Sequence, residues 1–219
     1  MMTALLLLPG LVYFTLSSAL QGPVVIDRIA VVAGKHPIKT SDIDREVRLT
    51  EFLNREPLSL TPERKKKTAE RLIDQAIMRN EIATGSYRRA SDSEASALVE
   101  QIRKDRFGGS DAQLRRALSQ YGLTEEELLA QFVWQLTVLR FIDQRFRPGV
   151  LVTDEEVRAY YEKHQSELAR QYPRVHTFEA LEPEIRNTLT AQKVDAEFDE
   201  WLDGARKREH IEYLQKDLE

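Results

Sequence analysis

Six times along this chain a hydroxyl residue stands just ahead of an acidic or helix-starting residue, and each pair is followed by an apolar run at helical spacing. They are Ser41 with Asp44, Thr61 with Pro62, Ser91 with Glu94, Ser110 opening a short helix, Thr124 with Glu127, and Thr153 with Glu156. In such a pair the hydroxyl accepts a free amide of the first turn, and the acid faces the positive end of the helix dipole. Repetition of this signal fixes the fold class as mainly α. The expected helices run from Ser41 to about Leu53, Pro62 to about Thr84, Ser91 to Gly108, Ser110 to near Gly122, Thr124 to Pro148, and Thr153 to about Glu167. A further long helix is expected over Glu184–Arg208, with Glu182 and Pro183 at its start. Residues 165–177 lack periodicity, contain Pro173 and read as a loop.

Two short segments break the helical pattern. Val24 to Val32 is rich in β-branched residues and reads as a strand. Gly34 turns the chain, and Pro37-Ile38-Lys39 is a return strand confined by its proline to a sheet edge. His210 to Leu214 alternates like a terminal strand. A lone strand leaves its backbone unsatisfied, so the simplest arrangement pairs it with the N-terminal sheet and ties the two chain ends together. The first residues differ again. Ala4 to Leu20 is almost wholly apolar, with a small-x-small pattern at Ser17 and Ala19. It reads as an export signal, residues 1–20. The alternative is an uncleaved anchor facing the periplasm, because no Lys or Arg precedes the run and Pro9-Gly10 interrupts it.

Of the 219 residues, 42% are hydrophobic and 31% charged, enough apolar material for a core. The net charge of −4 lacks the basic excess of a nucleic-acid binder. Without cysteine there is no disulfide, thiolate zinc site or thiol nucleophile. No P-loop, G-x-G-x-x-G, G-x-S-x-G or H-E-x-x-H motif occurs, and His164 and His176 read as helix-end and loop histidines rather than a metal pair. The expectation is a chain with no catalytic residues, metal or cofactor. The helix from Glu125 to Arg147 carries two apolar stripes. One holds Leu128, Phe132, Leu136, Leu139 and Phe146; the other holds Trp134, Val138 and Phe141. A helix apolar on two sides is either sandwiched in a core or offers one side for binding. Phe132, Trp134, Val138 and Phe141 are the candidate contacts for apolar polypeptide, with Phe52, Leu53 and Leu58 as a candidate rim. The basic run Arg64 to Lys67 reads as a solvated helix face.

Several of these segments resemble, in order and spacing, the SurA-type periplasmic chaperones. They are Val24 to Val32 with Ile38 to Ile43, Arg71 to Met78, Val152 to Glu162, and Phe178 to Arg186 with Trp201-Leu202 and His210 to Leu214. In that family a parvulin prolyl-isomerase domain lies between the last two segments. Here only residues 165–177 occupy its place, too few for a domain. The resemblance implies a mainly α, multi-helix chaperone module whose small β element is formed by the N-terminal and C-terminal strands. It would be one composite domain over 24–219: helices in 24–164, a short loop at 165–177, and a helix and strand in 178–219. The implied function is an ATP-independent periplasmic holdase for unfolded outer-membrane or secreted chains, non-enzymatic and without nucleic acid. The alternatives are a foldase related to the prolyl isomerases, and an adaptor with one dedicated partner. Homodimerisation through exchanged helices is left open, and membrane contact is expected only through a retained leader.

Overall fold

A computed structural model describes residues 27–175 and 177–218. The expected leader, Val24 to Ile26 of the expected first strand, and His176 lie outside them. Helices begin where the hydroxyl–acid pairs stand. Helix α1 spans Thr40–Asn54, α2 Pro62–Thr84, α3 Asp92–Phe107, α4 Asp111–Gln120 and α5 Glu125–Phe146. Helix α6 spans Asp154–Gln171 and α7 Phe178–Arg208. At α3, α5 and α6 both halves of the capping box form. The Thr153 hydroxyl accepts from the Glu156 amide at 3.3 Å, for example, while Glu156 accepts from the Thr153 amide at 2.8 Å. Helix α1 differs from expectation. It is capped from Lys39, whose amide donates to Asp42 at 3.0 Å. Ser41 lies inside the helix and its hydroxyl bonds Asp27, so it anchors the preceding segment rather than starting the helix.

The sheet is antiparallel, with β1 (Ile29–Ala33) between β2 (His36–Lys39) and β3 (Ile211–Tyr213). Gly34 makes the β1–β2 turn at φ 60°, a left-handed conformation that favours glycine. Pro37 lies on an edge strand, where its missing N–H breaks no ladder. Pairing of Val31 with Tyr213 and Ala33 with Ile211 joins the last strand to the first. Arg206 reinforces the junction by pairing with Glu70 and with Asp74 at 2.5 Å. The Tyr213 hydroxyl also donates to Glu70; burial first and this bond second push its pKa up to about 12.

The core falls into four clusters. Under the sheet lie Val31, Ile38, Ile43, Ile73 and Ile77. Helices α1, α3, α4 and α5 enclose Leu49, Phe52, Val99, Leu114, Leu118, Leu128 and Phe132. Helices α6 and α7 share Val157, Leu168, Leu181 and Ile185. Ile82 of α2, Phe141 and Phe146 of α5 and Val194 of α7 form the fourth. The 31-residue α7 therefore runs through three of them, along about 46 Å at 1.5 Å per residue.

The stretch expected as a loop over 165–177 is shorter than the sequence suggests. Helix α6 bends at His164, whose φ of −111° and ψ of 15° are not helical, and then continues to Gln171. Helix α7 begins at Phe178, so Pro183 sits inside it rather than at its start. Packing explains both extensions. Leu168 beyond the bend and Leu181 before Ile185 are buried against each other's helices. Pro183 is exposed and costs one hydrogen bond near the helix start.

Candidate functional site

Helix α5 changes partners along its length, and that decides which of its apolar residues are open. Its first half packs on α1, α3 and α4, its second half on α2 and α7. No single stripe stays covered, so Leu139, on the same stripe as the buried Leu128 and Phe132, is 63% exposed. Phe141, a candidate contact, is fully buried. Its ring stands edge-on to Tyr87 at 4.9 Å and to Trp201 at 5.3 Å. Phe52 is buried as well, edge-on to Tyr121 at 5.6 Å, with the Arg106 guanidinium 4.6 Å above it. Both rings are scaffold, because α7 and α4 close over them. Val138 is half-buried, and Leu58 is exposed on the α1–α2 connection, away from the hollows described next.

Phe132 and Leu53 do come together. With Leu98 and Ile102 they line an open groove of about 490 Å³ between the end of α1, α3 and the middle of α5, although Phe132 itself is a core residue only 7% exposed. Asn54, Arg55, Gln101, Asp105, Arg106 and Gln135 form its polar rim. Helical spacing produces this arrangement. Ala95 and Val99 of α3 face the core, which turns Leu98 outward to 36% exposure and leaves Ile102 at the edge. Arg106 is held across the rim by a 3.0 Å bond to the Phe52 carbonyl; burial and the charge of Arg55 lower its pKa.

A second hollow, of about 480 Å³, opens between β2, α1, α2 and the start of α5. Ile38, Leu49, Leu72 and Ala76 give it apolar walls. Glu46 lies buried among them, 3.3 Å from Arg71 and accepting a bond from Gln75 at 3.4 Å. Burial pushes its pKa up, against the opposing pull of Arg71, Gln75 and Arg79. Arg45 bridges Asp42 and Glu127 across the mouth, at 3.1 Å to each. Arg79 also lines this cleft, and its guanidinium lies over the Trp134 ring at 3.8 Å. Trp134 is thus covered by a cation rather than open. Arg79 is exposed as a residue, yet enough protein surrounds its guanidinium that burial, with the like charge of Arg89, lowers its pKa. No motif in the sequence singles out this cleft. Glu46 and Gln75 on the apolar faces of α1 and α2 were its available signal, since polar groups at core positions need a local partner.

The basic run at the start of α2 makes ion pairs through Arg64 and Lys65. Arg64 pairs with Glu51 at 2.6 Å and Glu56 at 2.8 Å, and Lys65 with Asp44 at 2.8 Å. Among the described residues no cluster of three or more His, Asp or Glu side chains could hold a metal, and no helix is long and apolar enough to cross a membrane.

These features define a mainly helical scaffold with a small antiparallel sheet and two open, apolar-walled hollows beside α5. No family model matches the chain. It is similar to the proteins described as foldase protein PrsA in two strains of Clostridium kluyveri. Each is 25% identical over 122 residues, covering 54% of this chain. The aligned stretch is 35% of those relatives' length, so the match spans about a third of them. The similarity is distant.

Proposed function

We propose that this chain is an ATP-independent, non-enzymatic holdase that shields apolar segments of unfolded exported polypeptides. The observation that carries the reading is the groove walled by Leu53, Leu98 and Ile102 beside the buried Phe132, which the chain's own side chains leave open. An apolar concavity with a polar rim suits an extended apolar segment. In this reading no nucleotide drives release, and modest affinity serves instead. The similarity to foldases fits an exported protein, and the SurA-type resemblance supports the reading that its clients are outer-membrane or secreted chains met in the periplasm. The test is light scattering of a β-barrel outer-membrane protein diluted from urea. Molar excess of this chain should suppress the signal without nucleotide, and a Leu98→Glu, Ile102→Glu variant should suppress it less. Unchanged aggregation with the intact chain rejects the reading.

The relatives' description as foldases favours a second reading, in which the chain accelerates folding itself. A proline-limited refolding assay separates the two, because a holdase leaves the slow phase at its uncatalysed rate. Crosslinking in extracts that yields one dominant partner instead of many would point to a dedicated adaptor.

A further inference from the structure

We propose that the cleft between β2, α1, α2 and α5 recognises a carboxylate carried on an extended apolar polypeptide segment, with Arg79 as the recognising cation. This rests on the reading that the chain binds non-native polypeptide. The acids of the cleft already have partners. Asp42 and Glu127 share Arg45, and each also accepts a backbone amide, from Lys39 at 3.0 Å and from Thr124 at 2.9 Å. Glu46 faces Arg71 and Gln75.

Arg79 stands apart. Among the described residues no acceptor takes a hydrogen bond from its guanidinium, and its contact is the Trp134 ring. The charged groups that act on it are Arg89, which repels, and Glu46, which is committed to Arg71. A guanidinium offers five N–H donors in a planar fork that matches a carboxylate, and stacking on an aromatic ring fixes the plane of that fork. A cation drawn partly out of water, whose neighbouring anion Glu46 is already paired with Arg71, is incompletely compensated, and an incoming carboxylate relieves that. Ile38, Leu72 and Ala76 would take aliphatic neighbours of the acid, and the Gln131 amide lines the same wall. At about 480 Å³ the cleft is within the range of small-ligand pockets, suited to a few extended residues and too small for a folded surface.

The carboxylate could come from an Asp or Glu side chain or from a chain end. Calorimetric titration of the full chain with three peptides of one apolar body distinguishes these sources. The first carries an internal Glu and an amidated end, the second has Gln in its place, and the third is the Gln peptide with a free carboxyl end. The Glu peptide should bind at least about tenfold tighter than its Gln counterpart, about 1.4 kcal/mol. A matching gain with the third peptide assigns chain ends as a source too. The preference should vanish in Arg79→Gln, survive in part in Arg79→Lys and shrink with salt. In the unmodified chain the Trp134 indole N–H resonance should shift with the Glu peptide and not with the Gln one. Equal affinity for all three peptides, a preference that survives Arg79→Gln, or an unmoved Trp134 signal overturns the proposal. If aggregation is still suppressed, the holdase reading stands without it; if no peptide binds and aggregation is unchanged, both fall.

Discussion

Phe141→Ala separates scaffold from surface on α5 more sharply than any other single change. The ring is fully buried and meets Tyr87, Phe146 and Trp201 at centroid distances of 4.9, 5.8 and 5.3 Å, all edge-on. Deleting a buried phenylalanine ring costs roughly 3–5 kcal/mol, and each lost aromatic pair adds about 0.5–1.5 kcal/mol beyond area alone. These contributions overlap, and the rigid neighbours on α2, α5 and α7 leave little room for collapse. About 4 kcal/mol is therefore expected. For a chain of this size each kcal/mol moves the melting midpoint by about 2–4 °C, so the variant should melt roughly 8–16 °C lower. The assay is urea and thermal unfolding followed by far-ultraviolet circular dichroism, with Leu98→Ala alongside. Leu98 is 36% exposed at the groove, and its truncation should change stability by no more than about 0.5 kcal/mol. A loss below about 1.5 kcal/mol for Phe141→Ala, or a loss as large for Leu98→Ala, would refute this assignment of core and groove.

Three further outcomes follow from buried or paired charges. Glu51 is buried, accepts the Ser59 amide at 2.8 Å and pairs with Arg64 at 2.6 Å; Glu51→Ala leaves the Ser59 amide without its acceptor and Arg64 with Glu56 alone, and should cost about 2 kcal/mol in urea titration. Arg140 first, then the Ser91 cap, hold the Glu94 carboxyl down to about 2 from an ordinary 4.5. Its stabilising contribution is complete above pH 4.5 and lost as pH falls toward 2, so Glu94→Gln should flatten the acid limb of a melting-point profile between pH 2 and 6. Glu46 behaves oppositely: its pKa is raised by burial, so its folded state is favoured most below pH 4.5 and less as pH rises through the folded value. Glu46→Gln should therefore raise the melting point at pH 7 and leave it nearly unchanged at pH 3.

The helix starts were legible because capping is local: Thr124 and Glu127 need only each other and one turn of backbone. The closing strand was legible for a different reason, since Ile211–Tyr213 had nowhere to satisfy its backbone except beside Ile29–Ala33. The end of α6 and the start of α7 were not legible, because Leu168 and Leu181 hold them helical through contacts between helices. The open face of α5 was hidden similarly. Periodicity places Phe132, Leu139 and Phe141 on faces, but only the positions of α3 and α7 decide that Leu139 is bare and Phe141 sealed. Arg79 over Trp134 joins two helices, and nothing local to either announces it.

Site-specific photocrosslinking tests the central claim most directly. A benzophenone side chain at position 98, in the groove, is compared with one at position 151, where Leu151 is 76% exposed but outside both hollows. With an unfolded β-barrel protein as client, crosslinks should form from position 98 and be at background from 151. Equal crosslinking from the two positions, or none from 98 while aggregation is suppressed, would contradict a groove-based mechanism.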